Sequence, residues 1–60
     1  MSQHPSPAEL RRLQLRITGL VYARAVREAA GARPDELARY STEIDREQRR
    51  LARLEAAVPV

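Results

Sequence analysis

The sequence contains no cysteine, lysine, tryptophan or phenylalanine, and its single histidine is His4. Without cysteine, neither a disulfide framework nor a thiolate metal site can form, and one terminal histidine does not supply a metal site either. We therefore expect no metal and no other cofactor bound by the chain itself. No apolar run approaches the ~18 residues of a membrane span, and no signal-peptide core follows Met1. These absences predict a cytoplasmic protein without membrane contact.

The chain is also short, at 60 residues, which predicts a single domain spanning 1–60. A domain of this size buries only about 60% of its unfolded surface and is marginally stable alone. Because no disulfide or metal can reinforce it, association with a second copy or with another protein is the remaining source of burial. The sequence does not decide between a monomer and a homodimer.

The positive charge comes entirely from eleven arginines, which face eight acidic residues for a net charge of +3. Arginine-only usage fits phosphate recognition, but an arginine-rich codon preference is the better explanation. The charge is low for a nucleic-acid-binding protein, and neither tyrosine lies in the arginine-rich segments 1–20 and 46–60. We therefore do not expect a nucleic-acid partner. The net charge favours encounter with an acidic protein surface.

Local signals predict an all-α fold, an antiparallel two-helix hairpin with helices over about 7–30 and 34–57. Ser6, Pro7 and Glu9 form a capping-box start, whereas residues 1–5 carry no periodicity and are expected to be disordered. Gly31 favours a left-handed helix end. Pro34, with Asp35 and Glu36, opens the second helix, and a loop over about 31–33 forces the helices antiparallel.

The second helix carries a heptad seam: Leu37, Ile44, Leu51 and Val58, with Tyr40, Glu47 and Leu54 between them. This spacing turns one stripe toward a partner helix. Glu47 interrupts the seam, and we expect it to pair with an arginine of the first helix or of a second copy. Tyr40 is expected to fill the seam with its hydroxyl at the edge.

The first helix has two apolar rows. The row expected to pack on the second helix consists of Leu10, Leu13, Ile17, Leu20 and Val21. The other row, at well over 100° around the helix, consists of Leu15, Tyr22, Val26 and Ala29. Because a two-helix hairpin cannot cover both, the second row either packs on another molecule or remains an exposed patch.

Beside the seam, the second helix carries a row of small and polar residues: Ala38, Ser41, Asp45, Gln48 and Ala52. Ser41 and Asp45 are one helical turn apart on the same flank. Such a row lets another protein approach a carboxylate closely. The alternative for Asp45 is an ordinary surface ion pair with Arg49, four residues later.

Enzymatic motifs for small molecules are absent from the sequence, which has no glycine-rich phosphate loop, nucleophile–base pair or paired carboxylates. A helical hairpin also has no cavity in which to enclose a substrate. Any chemistry must therefore complete the active site of another protein.

The stretch from Gly31 to Asp45 resembles the Spo-zero-E-like aspartyl-phosphate phosphatases of endospore-forming bacteria. The Ser-Gln-Glu-Leu-Asp signature of that family corresponds here to Ser41-Thr42-Glu43-Ile44-Asp45, which matches at Ser41, Glu43 and Asp45. The glycine turn, the acidic helix start and the Leu10-Arg11-Arg12-Leu13 opening also agree. Thr42 departs from the signature, where the family has glutamine.

The resemblance implies a phosphatase that dephosphorylates the aspartate of a response-regulator receiver in a sporulation phosphorelay, as a negative regulator of sporulation. It implies Asp45, Ser41 and Glu43 as catalytic residues. It implies a partner surface made by Tyr40, Thr42, Gln48 and Arg49. The divalent metal, Mg²⁺, is expected in the partner receiver and not in this chain. Gln48 offers an amide on the Ser41–Asp45 row, which Thr42 does not.

A different class of function fits the same pattern. A non-catalytic hairpin that dimerises into a four-helix bundle would serve as an adaptor. Turnover of a phosphorylated receiver distinguishes the two hypotheses, because an adaptor binds without hydrolysis.

Overall fold

A computed structural model describes residues 6–57. The chain forms two α-helices, α1 (Pro7–Ala29) and α2 (Pro34–Ala56), and no strand lies within 6–57. The predicted all-α helical hairpin is therefore confirmed, and each helix ends one residue earlier than predicted. The predicted disorder of residues 1–5 and the seam position of Val58 lie outside the described residues. Neither helix is long and apolar enough to cross a membrane.

The start of α1 follows from its capping residue. The Ser6 Oγ accepts a hydrogen bond from the Glu9 backbone N–H at 3.1 Å, and Pro7 occupies the first turn. One of the four unpaired N–H groups at the helix start is thereby satisfied. The predicted Ser6 cap is confirmed.

The turn between the helices depends on Gly31, which has φ = +86°. The Ala32 N–H donates to the Arg27 carbonyl at 2.9 Å, and the Gly31 N–H donates to the Glu28 carbonyl at 3.0 Å. This pair of bonds is the Schellman motif, which closes a helix when a residue adopts the left-handed conformation. Pro34 then begins α2 after only a few residues, so that α2 folds back along α1.

The two helices pack along one face of each and form a rod of 47 × 18 × 16 Å. Leu13, at 7% exposure, is the one buried apolar side chain of the described chain. The other seam positions are half-buried, because two helices shield only the strip between them. They are Leu10, Ile17, Leu20, Leu37, Tyr40, Ile44, Leu51 and Leu54.

Val21 does not belong to the packed face of α1, contrary to the sequence-based assignment, since 48% of it remains exposed. Successive helical residues differ by about 100° in direction, so Leu20 and Val21 cannot both point toward α2. Leu20 takes the inward position. The other apolar row is exposed as its spacing indicated, with Leu15 at 61% and Tyr22 at 71%.

A charged pair lies inside the seam. Glu47 is 5% exposed, and its Oε2 forms an ion pair with the Arg16 Nε at 2.8 Å. Arg16 also approaches the Glu43 Oε1 at 3.4 Å. The predicted pairing of Glu47 with an arginine of the first helix is therefore confirmed. No buried side-chain nitrogen or oxygen within residues 6–57 lacks a hydrogen-bond partner.

We predict that Gly31→Ala lowers the free energy of unfolding by about 1–2 kcal/mol, because alanine resists a positive φ. A Cβ built at Gly31 meets no atom within 4 Å, so the loss comes from the backbone conformation and not from a clash. Gly31→Asn serves as the control and should lose less, since asparagine tolerates this conformation. Equal losses in urea titrations of the two variants would contradict the assignment.

We also predict that Arg16→Ala destabilises the hairpin by about 2–3 kcal/mol, because it leaves the buried Glu47 carboxylate without its cation. Glu47→Leu should be nearly neutral or stabilising, since it restores an apolar seam and leaves the exposed Arg16 in water. Glu43→Ala controls for the second contact of Arg16. Urea denaturation followed by circular dichroism measures all three, and a larger loss in Glu47→Leu than in Arg16→Ala would refute the argument.

Candidate functional site

The row of small and polar residues lies on the surface of α2. Ala38, Ser41, Asp45, Gln48 and Ala52 are all exposed. Leu37 and Ile44, which face α1, lie beside this row and hold α2 against the first helix. The row is therefore an accessible flank of a packed helix, as its spacing predicted.

Ser41 is held by the first helix. The Arg24 Nε donates a hydrogen bond to the Ser41 Oγ at 2.9 Å, across the interface between α1 and α2. Arg24 also approaches the Glu28 carboxylate four residues later, with 3.7 Å between Nη1 and Oε1. The guanidinium thus lies at the edge of the Ser41 row, where it adds positive charge and fixes the direction of the hydroxyl oxygen.

Asp45 is exposed and carries one ion pair, in which the Arg49 Nη2 lies 2.7 Å from Oδ2. Both side chains are more than half exposed. An i,i+4 pair of this kind is worth only a few tenths of a kcal/mol in water. A second protein can therefore separate Arg49 from the carboxylate at little energetic cost.

Glu43 points away from this flank, toward the opposite side of the hairpin. Its carboxylate contacts Arg16 of α1 and lies 3.9 Å from the Arg46 Nη1. Tyr40 is half-buried in the seam, and Thr42 is exposed. The structure therefore brings Ser41, Asp45, Gln48 and Arg49 together on one side, and it places Glu43 and Tyr40 elsewhere.

Two charged grooves lie on the side of Glu43. One is lined by residues around Glu36 and Tyr40, and the other by residues around Arg12 and Glu47. Neither includes Ser41 or Asp45. The candidate site is therefore a convex helix flank and not a pocket. Within residues 6–57, no three histidine or acidic side chains are grouped as metal ligands.

Arg24 is the residue of this site that sequence reasoning missed. Folding the chain about the loop over 31–33 sets Leu51 beside Leu13, and this register places Arg24 one position from Ser41. The observed contacts of Arg24 with Ser41, Arg16 with Glu47 and Arg27 with Glu36 each agree with that register to within one position. The signal was present, but nothing in the sequence showed on which side of the seam the long Arg24 side chain would lie.

The arrangement can present one carboxylate, one hydroxyl and one amide to a surface that approaches α2. Two guanidinium groups, of Arg24 and Arg49, accompany them. Such a set can orient water and balance negative charge, but it cannot enclose a substrate. In comparisons with known proteins, no family model matches the chain, and no curated protein or solved structure shows significant similarity to it.

Proposed function

We propose that this protein hydrolyses the aspartyl phosphate of a response-regulator receiver domain by inserting the Asp45 flank of α2 into the receiver's phosphorylation pocket. The observation that carries the proposal is the exposure of Ser41 and Asp45 on one flank of a packed helix, with the carboxylate held only by a surface ion pair. The resemblance of residues 41–45 to the Spo-zero-E-like signature supplies the substrate class.

The proposed chemistry suits a helix without a cavity. An aspartyl phosphate is an acyl phosphate, and in its hydrolysis water attacks phosphorus in line while the bond between phosphorus and the aspartate oxygen breaks. Inorganic phosphate leaves, and the aspartate returns to its carboxylate form. The receiver provides the pocket and the divalent metal, Mg²⁺. The work left to this chain is positioning, which alone contributes several kcal/mol when reacting groups are held at contact distance.

Asp45 takes the central role in this proposal. Its carboxylate accepts a hydrogen bond from the attacking water and holds it in line with the bond that breaks. Ser41, one turn earlier, hydrogen-bonds at the rim of the receiver pocket. Gln48 lies one turn beyond Asp45 on the same row and supplies the amide that the family signature has at the position of Thr42.

The two arginines, Arg24 and Arg49, contact different residues of the site. Arg49 holds Asp45 at 2.7 Å in the free protein and is released to the incoming acyl phosphate. Arg24 stays on α1 and holds Ser41 at 2.9 Å. Guanidinium groups bind phosphoryl oxygens through charged hydrogen bonds. Both residues therefore favour docking of a phosphorylated receiver over an unphosphorylated one.

Glu43 enters the catalytic set through the resemblance alone. We infer a positioning role for it from its contact with Arg16, because that contact joins α2 to α1. The proposal includes the cytoplasmic location and the restraint of sporulation that accompany this family.

An adaptor role is the second candidate. The observation that favours it is the large exposed fraction of Leu15 and Tyr22 on α1, which fits a binding surface without chemistry. The two roles make different demands, since an adaptor needs no exposed carboxylate on α2.

We predict that Asp45→Ala lowers the rate of receiver dephosphorylation by about a hundredfold or more, the usual contribution of a group that positions or activates water. The measurement is loss of the acyl phosphate from a phosphorylated receiver over time. Asp35→Ala is the matched control, because Asp35 is also an exposed α2 carboxylate paired with an arginine, Arg33, at 3.5 Å.

Both variants should keep the helical circular dichroism signal of the unaltered chain. Unchanged hydrolysis in Asp45→Ala, or an equal loss in Asp35→Ala, would reject Asp45 as the working group. Binding of the phosphorylated receiver without any turnover by the unaltered chain would favour the adaptor.

A further prediction separates the two candidate amide positions. Gln48→Ala should slow hydrolysis by about tenfold or more, whereas Thr42→Ala should change it little, because Gln48 shares the Ser41–Asp45 row. The same acyl-phosphate assay applies to both exposed positions. A larger loss in Thr42→Ala would place the functional contact at position 42, as in the family signature.

A further inference from the structure

The face of α1 turned away from α2 carries a continuous apolar strip, here called the α1 stripe: Leu15, Gly19, Tyr22 and Val26. Leu15 is 61% exposed, Tyr22 71% and Val26 47%. Its members are three or four residues apart, so they form one line along the helix. No charged residue lies within this line.

Gly19 has no role within the hairpin. It lies in the middle of α1, its φ is not positive, and a Cβ built on it meets no atom within 4 Å. A glycine inside a helix costs about 1 kcal/mol relative to alanine. Neither the backbone conformation nor the packing of the hairpin requires a glycine at this position. Close approach of another molecule to the α1 stripe does require one, because a side chain would block it.

The small core indicates that this other molecule is a lasting partner of the hairpin and not a transient one. Leu13 is the one buried apolar side chain within residues 6–57, and a chain of this size without disulfide or metal support is marginally stable. A phosphorylated receiver is a transient partner and cannot provide lasting support. A second copy of the same chain is present whenever the protein is present.

We propose that two copies associate through their α1 stripes, with the two α1 helices antiparallel about a twofold axis between residues 20 and 21. The spacing within the stripe is four, three and four residues, which reads the same in both directions. Such an axis therefore maps the stripe onto itself. It places Tyr22 of each copy over Gly19 of the other, and Leu15 of each beside Val26 of the other.

The pairing of large with small side chains explains the glycine. The Tyr22 ring needs space on the opposing helix, and Gly19 provides it without a side chain in the way. Facing layers that alternate large and small residues pack without voids. A parallel arrangement would instead oppose Tyr22 to Tyr22 and leave an unfilled gap at Gly19.

Charge also favours the antiparallel pair. Arg11 and Arg12 are exposed and have no ion pair within residues 6–57. The twofold axis carries them to the C-terminal end of the other copy's α1, near Ala29 and Ala30. Cations are stabilised at that end by the helix dipole. In a parallel dimer the same arginines would lie together and repel each other.

The available area agrees with a specific dimer. With tyrosine and leucine as its main contributors, the exposed stripe amounts to something on the order of 400 Å² per copy. Two copies, with the flanking alanines and arginine stems, reach about 1,000 Å² in total, the lower bound for specific interfaces. The product is a four-helix arrangement with both α2 helices on the outside.

This association leaves the phosphatase site open. The α1 stripe faces away from α2, whereas Ser41 and Asp45 lie on the outer flank of α2. Each copy in the dimer can therefore meet its own receiver. The association and the proposed enzymatic function can fail separately, since they concern different helices and different measurements.

Sedimentation velocity and circular dichroism of the full chain, from low micromolar to millimolar concentration, test the inference. We expect a dimer whose helical signal falls on dilution. Tyr22→Glu should weaken association by about a hundredfold, as loss of a central aromatic anchor does. Gln14→Glu is the matched control, because it adds the same charge to an exposed position of α1 away from the stripe, and it should associate like the unaltered chain.

Gly19→Ala provides a readout that does not require a destabilised variant. Alanine strengthens the helix of the single hairpin, so the dissociated chain should gain helical signal. The added methyl lies under the Tyr22 ring of the other copy, so association should weaken about tenfold or more. These opposite effects are expected only if the stripe is the interface.

Cysteine pairs determine the direction, because the chain has no native cysteine. An oxidised mixture of Leu15→Cys and Val26→Cys chains should form mixed disulfides in preference to like pairs. Preferred like pairs would overturn the antiparallel geometry. A monomer at every concentration, or a dimer that survives Tyr22→Glu, would overturn the interface itself.

Discussion

Two helices can share only one mutual face, and this constraint governs every other feature of the molecule. The face between α1 and α2 shields a strip of leucines, yet Leu13 is the one apolar side chain that it buries among the described residues. Everything outside that strip faces water or another protein. The second apolar row of α1 and the polar flank of α2 are therefore both exposed, because no third layer covers them.

The charged pair of Arg16 and Glu47 shows how such a thin interface gains specificity. A leucine at position 47 would bury more apolar surface, but it would also let the helices slide or rotate more easily. With the carboxylate bound at 2.8 Å, the register of the two helices is fixed at one point. Arg27 and Glu36, also 2.8 Å apart near the turn, fix it at another. The two contacts hold Glu36 and Glu47 on one side of the rod.

That arrangement separates two kinds of surface. Glu43 and Glu47 are engaged with arginines on one side, whereas Ser41 and Asp45 lie on the other with only light restraint from Arg24 and Arg49. A residue that offers its carboxylate to another protein needs a rigid backbone and a side chain whose own contacts are weak. Helix α2 supplies the first condition through its seam, and the exposed Asp45–Arg49 pair supplies the second.

A convex site also explains why no enclosed cavity is needed. In the proposed reaction the receiver encloses the acyl phosphate, and this chain adds one side chain from a stiff support. The specificity of such a protein lies in docking geometry more than in chemistry. In the proposed dimer the α1 stripe supplies the buried apolar area that a single hairpin lacks. Because the stripe faces away from α2, the proposed dimer contact and the proposed receiver contact lie on different surfaces.

The sequence alone determined the hairpin, because its signals are local. Ser6 and Pro7 start a helix, Gly31 ends it and Pro34 starts the next, each through bonds within a few residues. The tertiary structure decided what depends on the rotation of each helix about its own axis: the outward position of Val21, the contact between Arg24 and Ser41, and the contact between Arg16 and Glu43. Neighbouring residues of a helix differ by about 100° in direction, so a modest rotation reassigns side chains from one side of the seam to the other, and only the packed pair of helices fixes it.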